Sequence, residues 1–232
     1  MSAGVGVRVG VAAAALLLAV AWARPLSALA ADAPHGQWRA VEFSMKPIDP
    51  GAHSWTMRLD ASGSGSYSEA SDPSSGPMPL TISPSTLERL RRGERAVKSG
   101  RCETRQKNIA ETGEKTIRYE FSEHALTCTF NYSDDDNLMD AVAAFEAVAE
   151  TMQAGERLEH DERFDRLGLD AEIDTLVSSV RRGSAIELGN IAPVLHSLVD
   201  DEHVIDRVRR KAARLLQAPG SVASSEGDPS EL

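Results

Sequence analysis

The apolar period of this chain changes at Ser133, and no other feature limits its fold as tightly. Between Gln37 and Tyr132, short alternating runs are separated by Gly, Ser, Pro and Asp, the pattern of strands and turns. The segment 53–59 places Trp55, Met57 and Leu59 on one face and Thr56 and Arg58 on the other. Turn residues follow from Asp60 to Gly65 and Tyr67 begins a return strand, so 53–70 reads as a hairpin. A looser alternation covers 38–43, and 71–79 reads as a Pro/Gly/Ser loop. Ser85 is the expected N-cap of one helix, with Leu87, Leu90 and Val97 as its buried stripe and Gly100 as its stop. Strand character returns at 104–110, 116–121 and 126–132.

After Ser133 the spacing becomes helical. Leu138, Val142, Phe145, Ala149 and Met152 form one stripe of a helix expected to run through Gly155 to about Phe164, with Gly168 as its left-handed cap. Asp170 is the expected cap of a helix that stops at Gly183. Asn190 is the expected cap of a short helix, and the last helix is expected over 201–217, acidic at its start and basic near its end. The expected fold class is therefore α+β: an antiparallel sheet with one packed helix in the N-terminal half, followed by a four-helix C-terminal region. As domains, this gives a signal peptide over 1–30, a β-rich α+β domain over 31–133, a helical region over 134–217 and a disordered tail over 218–232.

The first thirty residues fit an export signal. Arg8 precedes an apolar run from Val9 to Ala23, Pro25 breaks it, and Ala28-Leu29-Ala30 has the small-x-small form that signal peptidase reads. The run is about 15 residues where a spanning helix needs roughly 20. A cleaved signal is the expected outcome, with an N-terminal membrane anchor as the alternative, and no integral membrane segment is expected after cleavage. Losing Arg8 and Arg24 makes the mature chain two charges more acidic than the formal −10 of the whole. That balance argues against nucleic acid as a partner.

Two cysteines, Cys102 and Cys128, remain. In an oxidising compartment the simplest reading is one disulfide, with a pair of free thiols as the alternative. Two outer strands of a three-strand meander would hold them about 9.6 Å apart by the usual strand spacing, beyond disulfide reach. Cys102 therefore sits in the loop leaving the helix, or its strand pairs directly with that of Cys128. The spacing is too wide for a CxxC redox site, and two cysteines without a close His pair make half a zinc site.

Three segments resemble stretches of uncharacterised exported bacterial proteins: Phe164-Asp-Arg-Leu-Gly-Leu-Asp-Ala-Glu172, Gly189-Asn-Ile-Ala-Pro-Val-Leu195, and the hairpin segment Gly63-Ser-Gly-Ser-Tyr67. The resemblance implies export from a bacterial cell, and that group carries no known activity to transfer.

Motifs for chemistry are missing. Ser62-Gly-Ser-Gly-Ser66 lacks the spacing of a nucleophile elbow, and Gly113-Glu-Lys-Thr116 lacks the Gly-rich loop of a phosphate cradle. GxGxxG and HExxH are absent. His160 with Asp161, Glu162 and Asp165 is the best metal-like cluster, but interleaved Arg157, Arg163 and Arg166 read it as a charged outer helix face. Asp134 to Asp136 lack the calcium-loop Gly and Glu, Met139 and Phe145 standing at those positions. The other histidines, His35, His53, His124, His196 and His203, are scattered, and His196 lies near an apolar stripe, where a partly buried role is expected. No catalytic residue, cofactor or metal is therefore assigned.

Two basic stretches stand out on an acidic chain. One holds Arg89, Arg91, Arg92, Arg95, Lys98, Arg101, Arg105 and Lys107, the other Arg207, Arg209, Arg210, Lys211 and Arg214. Arg89, Arg92, Arg95, Arg207, Arg210 and Arg214 are the candidate patch for an anionic partner, against solvated faces neutralised by nearby acids. The expected function is a non-enzymatic binding module, periplasmic or secreted, meeting a protein or envelope polymer. The alternative is a small extracytoplasmic hydrolase whose site assembles only in three dimensions.

Overall fold

A computed structural model describes residues 38–49, 51–70, 76–100, 102–103 and 110–218. The expected leader, residues 104–109 of the expected strand over 104–110, and the tail beyond Ala218 lie outside these residues. Strands β1 (Ala40–Pro47), β2 (Trp55–Asp60), β3 (Ser64–Glu69), β4 (Met78–Thr81), β5 (Gly113–Glu120) and β6 (Ala125–Phe130) form one antiparallel sheet in the order β4-β3-β2-β1-β5-β6. Helix α1 (Pro84–Lys98) sits between β4 and β5 in the chain. Helices α2 (Asp136–Phe164), α3 (Leu169–Arg182), α4 (Ala192–Asp200) and α5 (Asp206–Leu216) follow the sheet. The class is α+β, as the change of period at Ser133 requires.

Alternation fixes the sheet's two faces. On the inner face one register row runs Met78, Tyr67, Met57, Phe43, Ile117, Cys128, and the next runs Glu69, Trp55, Met45, Lys115, Phe130. On the outer face Ser68, Thr56, Ser44, Thr116 and Thr129 form a hydroxyl row. In the row beside it, Arg58 of β2 reaches Glu120 of β5 with a two-pronged ion pair, nitrogen to oxygen 3.0 and 2.6 Å.

The amphipathic stripe of α2 packs on the inner face. Leu138, Val142, Phe145 and Ala149 are buried, and Phe145 stacks on Phe43 at 4.9 Å between ring centres. Burying a side chain of that size stabilises by roughly 1.5–3 kcal/mol. From Ala154 onward the same helix enters a second core with Leu158, Ile173, Leu176, Leu195, Leu198, Val208 and Ala212. One helix thus serves both cores, the first ending at Met152.

Several local expectations change. Strand β4 begins at Met78, inside the expected 71–79 loop, because Met78 and Leu80 pair with Tyr67 and Gly65. Helix α1 is capped by Ser83 rather than Ser85, since Pro84 fits the first helical position and Ser83 Oγ accepts from the Thr86 N–H. Gly168 is right-handed at φ −68° and precedes α3 rather than capping α2, which ends at Phe164 with Asp165 as its C-cap. Asp170 lies in the first turn of α3, where Lys211 and Arg207 hold its carboxylate. Asn190 sits inside a 3-10 turn over Leu188–Ile191, and Asp201 ends α4 instead of opening the last helix. Gly183 does stop α3, in the left-handed conformation at φ 71°.

Cys102 and Cys128 lie within disulfide distance, Cα to Cα 5.8 Å. Cys102 is in the segment leaving α1 and Cys128 is in β6, the first of the two arrangements that strand spacing allows. Among the described residues no helix is long and apolar enough to cross a membrane.

Candidate functional site

The site grows from the flank of the α2 stripe. Moving one residue on from Phe145, Ala149 and Met152 gives Glu146, Glu150 and Gln153, and Arg157 continues the line at i, i+4, i+7 and i+11. This polar edge overhangs the last inner row of the sheet, where Glu69 pairs with Trp55 and Trp55 with Met45. The space between is a groove of about 530 Å³ lined by Met45, His53, Trp55, Glu69, Glu146, Glu150, Gln153, Glu156 and Arg157. A second groove of about 680 Å³ continues from it along α2 to His160, Asp161, Arg163 and Phe164, with Tyr67, Ser68 and Met78 opposite. Both share Glu69, Glu156 and Arg157, so they form one cleft.

A hydrogen-bond chain crosses the cleft. The Gln153 amide donates to the Tyr67 hydroxyl at 2.9 Å, that hydroxyl donates to Glu69 at 2.7 Å, and His53 Nδ1 lies 3.5 Å from the other Glu69 oxygen. Burial pushes the Tyr67 phenol far above its ordinary value, so it serves as a neutral donor. Lys115, its side chain 6% exposed, donates to Thr112 Oγ1 and the Asn131 carbonyl and stands 3.9 Å from Glu146. Burial raises the Glu146 carboxyl, and the Lys115 ammonium draws it partly back. Asp161 is raised as well, by burial first and then by the charges of Asp165 and Glu172.

The cleft is strongly acidic. Glu69, Glu146, Glu150 and Glu156 line its first part, and Glu159, Asp161 and Glu172 join in the second; among the described lining residues the arginines are Arg157 and Arg163, with Lys115 behind Glu146. Arg157 is committed to Glu172 at 2.8 Å and Glu150 at 3.3 Å, and Arg163 is bonded to Glu159. Apolar surface borders both ends: Trp55 and Met45 at one, Met78 and the 75% exposed Phe164 at the other.

The basic residues singled out in the sequence are dispersed. Arg89 and Arg92 of α1 close on Asp140 of α2 at 2.8 and 2.9 Å, and Arg89 first among them holds that carboxyl below its usual range. Arg207 pairs with Asp170 and Arg210 with Asp206 on α5, while Arg95 and Arg214 are exposed. The candidate anionic-partner patch is thus two separate helices, four of its six arginines carrying intramolecular carboxylate partners. His160 packs against Phe164, 5.0 Å between ring centres, and among the described residues no group of three or more His, Cys, Asp or Glu is arranged to hold a metal. His196 is exposed, contrary to the partly buried role expected, because the helix turns Leu195 and Leu198 inward instead.

The second groove holds His160, Asp161, Arg157 and Arg163, which the sequence marks as a charged helix face; the residues of the first groove escaped notice because each is an ordinary flank position. Their signal was the line of Glu146, Glu150, Gln153 and Arg157, which means nothing until the wall that faces it is known. Comparison with models of known protein families and with curated proteins found no match.

Proposed function

We propose that this chain is a non-enzymatic binding module of the extracytoplasmic space that seats an extended ligand, part of a protein or envelope polymer, in the cleft between α2 and the β2–β3 end of the sheet. The leader pattern and the cysteine pair at disulfide distance support the compartment. The observation that carries the reading is the continuity of the two grooves. From Glu146 to Phe164 the cleft follows α2 for about 27 Å at 1.5 Å per residue. An extended chain of about eight residues spans that length, and a compact metabolite would leave most of it empty.

Glu146 favours a second reading, a small extracytoplasmic hydrolase. A carboxyl raised by burial in a groove is a candidate general acid, and Glu150 lines the same groove. One experiment separates the two. Mature protein is incubated with pools of oligopeptides and oligosaccharides, and the species it retains are recovered and weighed by mass spectrometry. Intact retained ligand, lost with a Gln153→Arg variant that blocks the groove, supports the binding module. Cleaved ligand establishes the hydrolase, and retention unchanged by the blocking variant overturns the cleft as the site.

A further inference from the structure

Resting on the reading of the cleft as a binding site, we propose that its ligand is an extended polypeptide segment with alternating lysine or arginine residues. Two independent features of the cleft converge on that class. The first is charge. Seven carboxylates face Arg157 and Arg163, both held by cleft carboxylates, and the Lys115 ammonium stands 3.9 Å from Glu146, so three cations leave the described lining with a surplus of negative formal charge. An entering cation meets an attractive field in a trough whose low-dielectric walls strengthen it. A phosphodiester or other polyanion meets the opposite.

The second feature is the apolar surface beside the charges. Lysine and arginine carry three- or four-carbon stems that lie along apolar surface while the charged head reaches a carboxylate. Trp55 and Met45 border one part of the cleft and Met78 and Phe164 the other. A small inorganic cation or an amino sugar offers no such stem. Spacing agrees: Glu146 and Glu150 are about 6 Å apart along the helix axis at 1.5 Å per residue. Alternate residues of an extended chain fall about 6.6 Å apart on one face.

The test uses the mature secreted protein and octapeptides of Lys-Ala, Glu-Ala and Ser-Ala repeats. Trp22 lies in the expected leader and Trp38 is fully buried, whereas Trp55, 7% exposed, forms part of the groove wall, so its fluorescence reports occupancy. The Lys-Ala peptide is expected to bind with a Trp55 change and to weaken at least tenfold in Glu146→Gln/Glu150→Gln. A distant pair of the same charge change, Glu202→Gln/Asp206→Asn, is expected to shift affinity less than twofold. Glu159→Lys, placed in the other groove, is a second cleft variant if the first does not fold. Equal loss in cleft and distant variants would mean bulk attraction to an acidic protein and overturns the inference. Binding of the Ser-Ala or Glu-Ala peptide with the same Trp55 change overturns the cationic class but leaves the cleft as the site. If no peptide of any charge moves Trp55, the inference fails, and retention of some other ligand decides whether the binding reading survives it.

Discussion

Glu187 caps a helix that lies 104 residues away from it in sequence, its carboxylate accepting from both the N–H and the hydroxyl of Ser83 at 2.9 and 2.6 Å. The same oxygen accepts from the Thr86 hydroxyl. A negative charge at the start of α1 meets the positive end of the helix dipole and one of its unsatisfied backbone donors, the Ser83 N–H. Glu187 does this from φ 60°, the one left-handed non-glycine residue among those described. The neighbouring residues fasten the same joint: Thr151 of α2 donates to the Ile186 carbonyl at 2.6 Å, and Asn190 bonds β4. The segment 186–190 therefore clasps the helical core to the sheet.

Replacing Glu187 separates its cap from its strain. Glu187→Ala loses the carboxylate and keeps the left-handed backbone, and is expected to lower stability by about 1–3 kcal/mol. Glu187→Gly loses the cap but relieves the backbone, and is expected to cost roughly 1 kcal/mol less than the alanine. Urea midpoints of the two variants and the wild type give both terms; three equal midpoints would mean the cap is idle.

Gly93 sets how closely α1 and α2 can pack. A Cβ there would stand 2.7 Å from the Ala141 methyl and 3.0 Å from the Tyr119 hydroxyl, which itself donates to the Leu90 carbonyl at 2.7 Å. The favourable helix propensity of alanine is worth about 1 kcal/mol, but the overlap is expected to win, leaving Gly93→Ala about 1–3 kcal/mol less stable. Adding Ala141→Gly is expected to recover part of the loss, and thermal unfolding of the four-member cycle measures the coupling. Strictly additive effects would place the strain elsewhere.

The side chain of Asn190 imitates a strand. It accepts from the Thr81 N–H at 2.8 Å and donates to the Thr81 carbonyl at 3.0 Å, so it occupies the outer edge of β4. Pro79 removes a further donor from that strand. Asn190→Leu keeps volume and loses both bonds, and is expected to speed amide exchange at Thr81 and to increase association at high concentration. Unchanged exchange at Thr81 would show that the edge is guarded by something else.

The cysteine pair adds stability from the unfolded side. Closing a loop between residues 26 apart is worth about 3 kcal/mol in the chain-entropy model. Cys102→Ala/Cys128→Ala is expected to lose about that much, and a reductant is expected to reproduce the loss in the wild type. A wild type indifferent to reductant would mean that the thiols are not joined in the purified protein.

Periodicity carried most of the fold. Trp55, Met57 and Leu59 announced β2, and the Leu138 stripe announced α2, because an apolar face must be buried whatever its partner. Caps were harder to read: Ser83 and Ser85 flank the same proline, and Gly168 adopts a right-handed backbone open to any residue. Asn190 and Asp170 resemble local caps in sequence, yet their side chains are taken by Thr81 and by Arg207 and Lys211 from distant elements. The first groove of the cleft was illegible for a related reason. Glu146 and Glu150 acquire meaning from Trp55 and Glu69, and only the strand register brings those four residues together.

A site that gathers carboxylates is expected to weaken the fold that holds it. Glu146 and Asp161 both titrate above their ordinary values, so the folded state disfavours their ionised forms. The sign follows from linkage. At pH above the folded value each is charged in both states and the cost is present in full. As pH falls through the folded value the native state takes up the proton first and the cost shrinks; below the unfolded value, near 4.5 for Glu146 and 3.8 for Asp161, it is gone. Asp161→Asn is therefore expected to stabilise the protein at neutral pH and to be neutral below about pH 3.8. Glu146→Gln is expected to gain less, because it leaves the buried Lys115 ammonium without its nearby carboxylate. Urea midpoints at pH 7 and pH 3.5 check both. An Asp161→Asn variant less stable than wild type at pH 7 would show that this carboxylate supports the fold, and the acidic cleft would lose its mark of a site kept at the expense of stability.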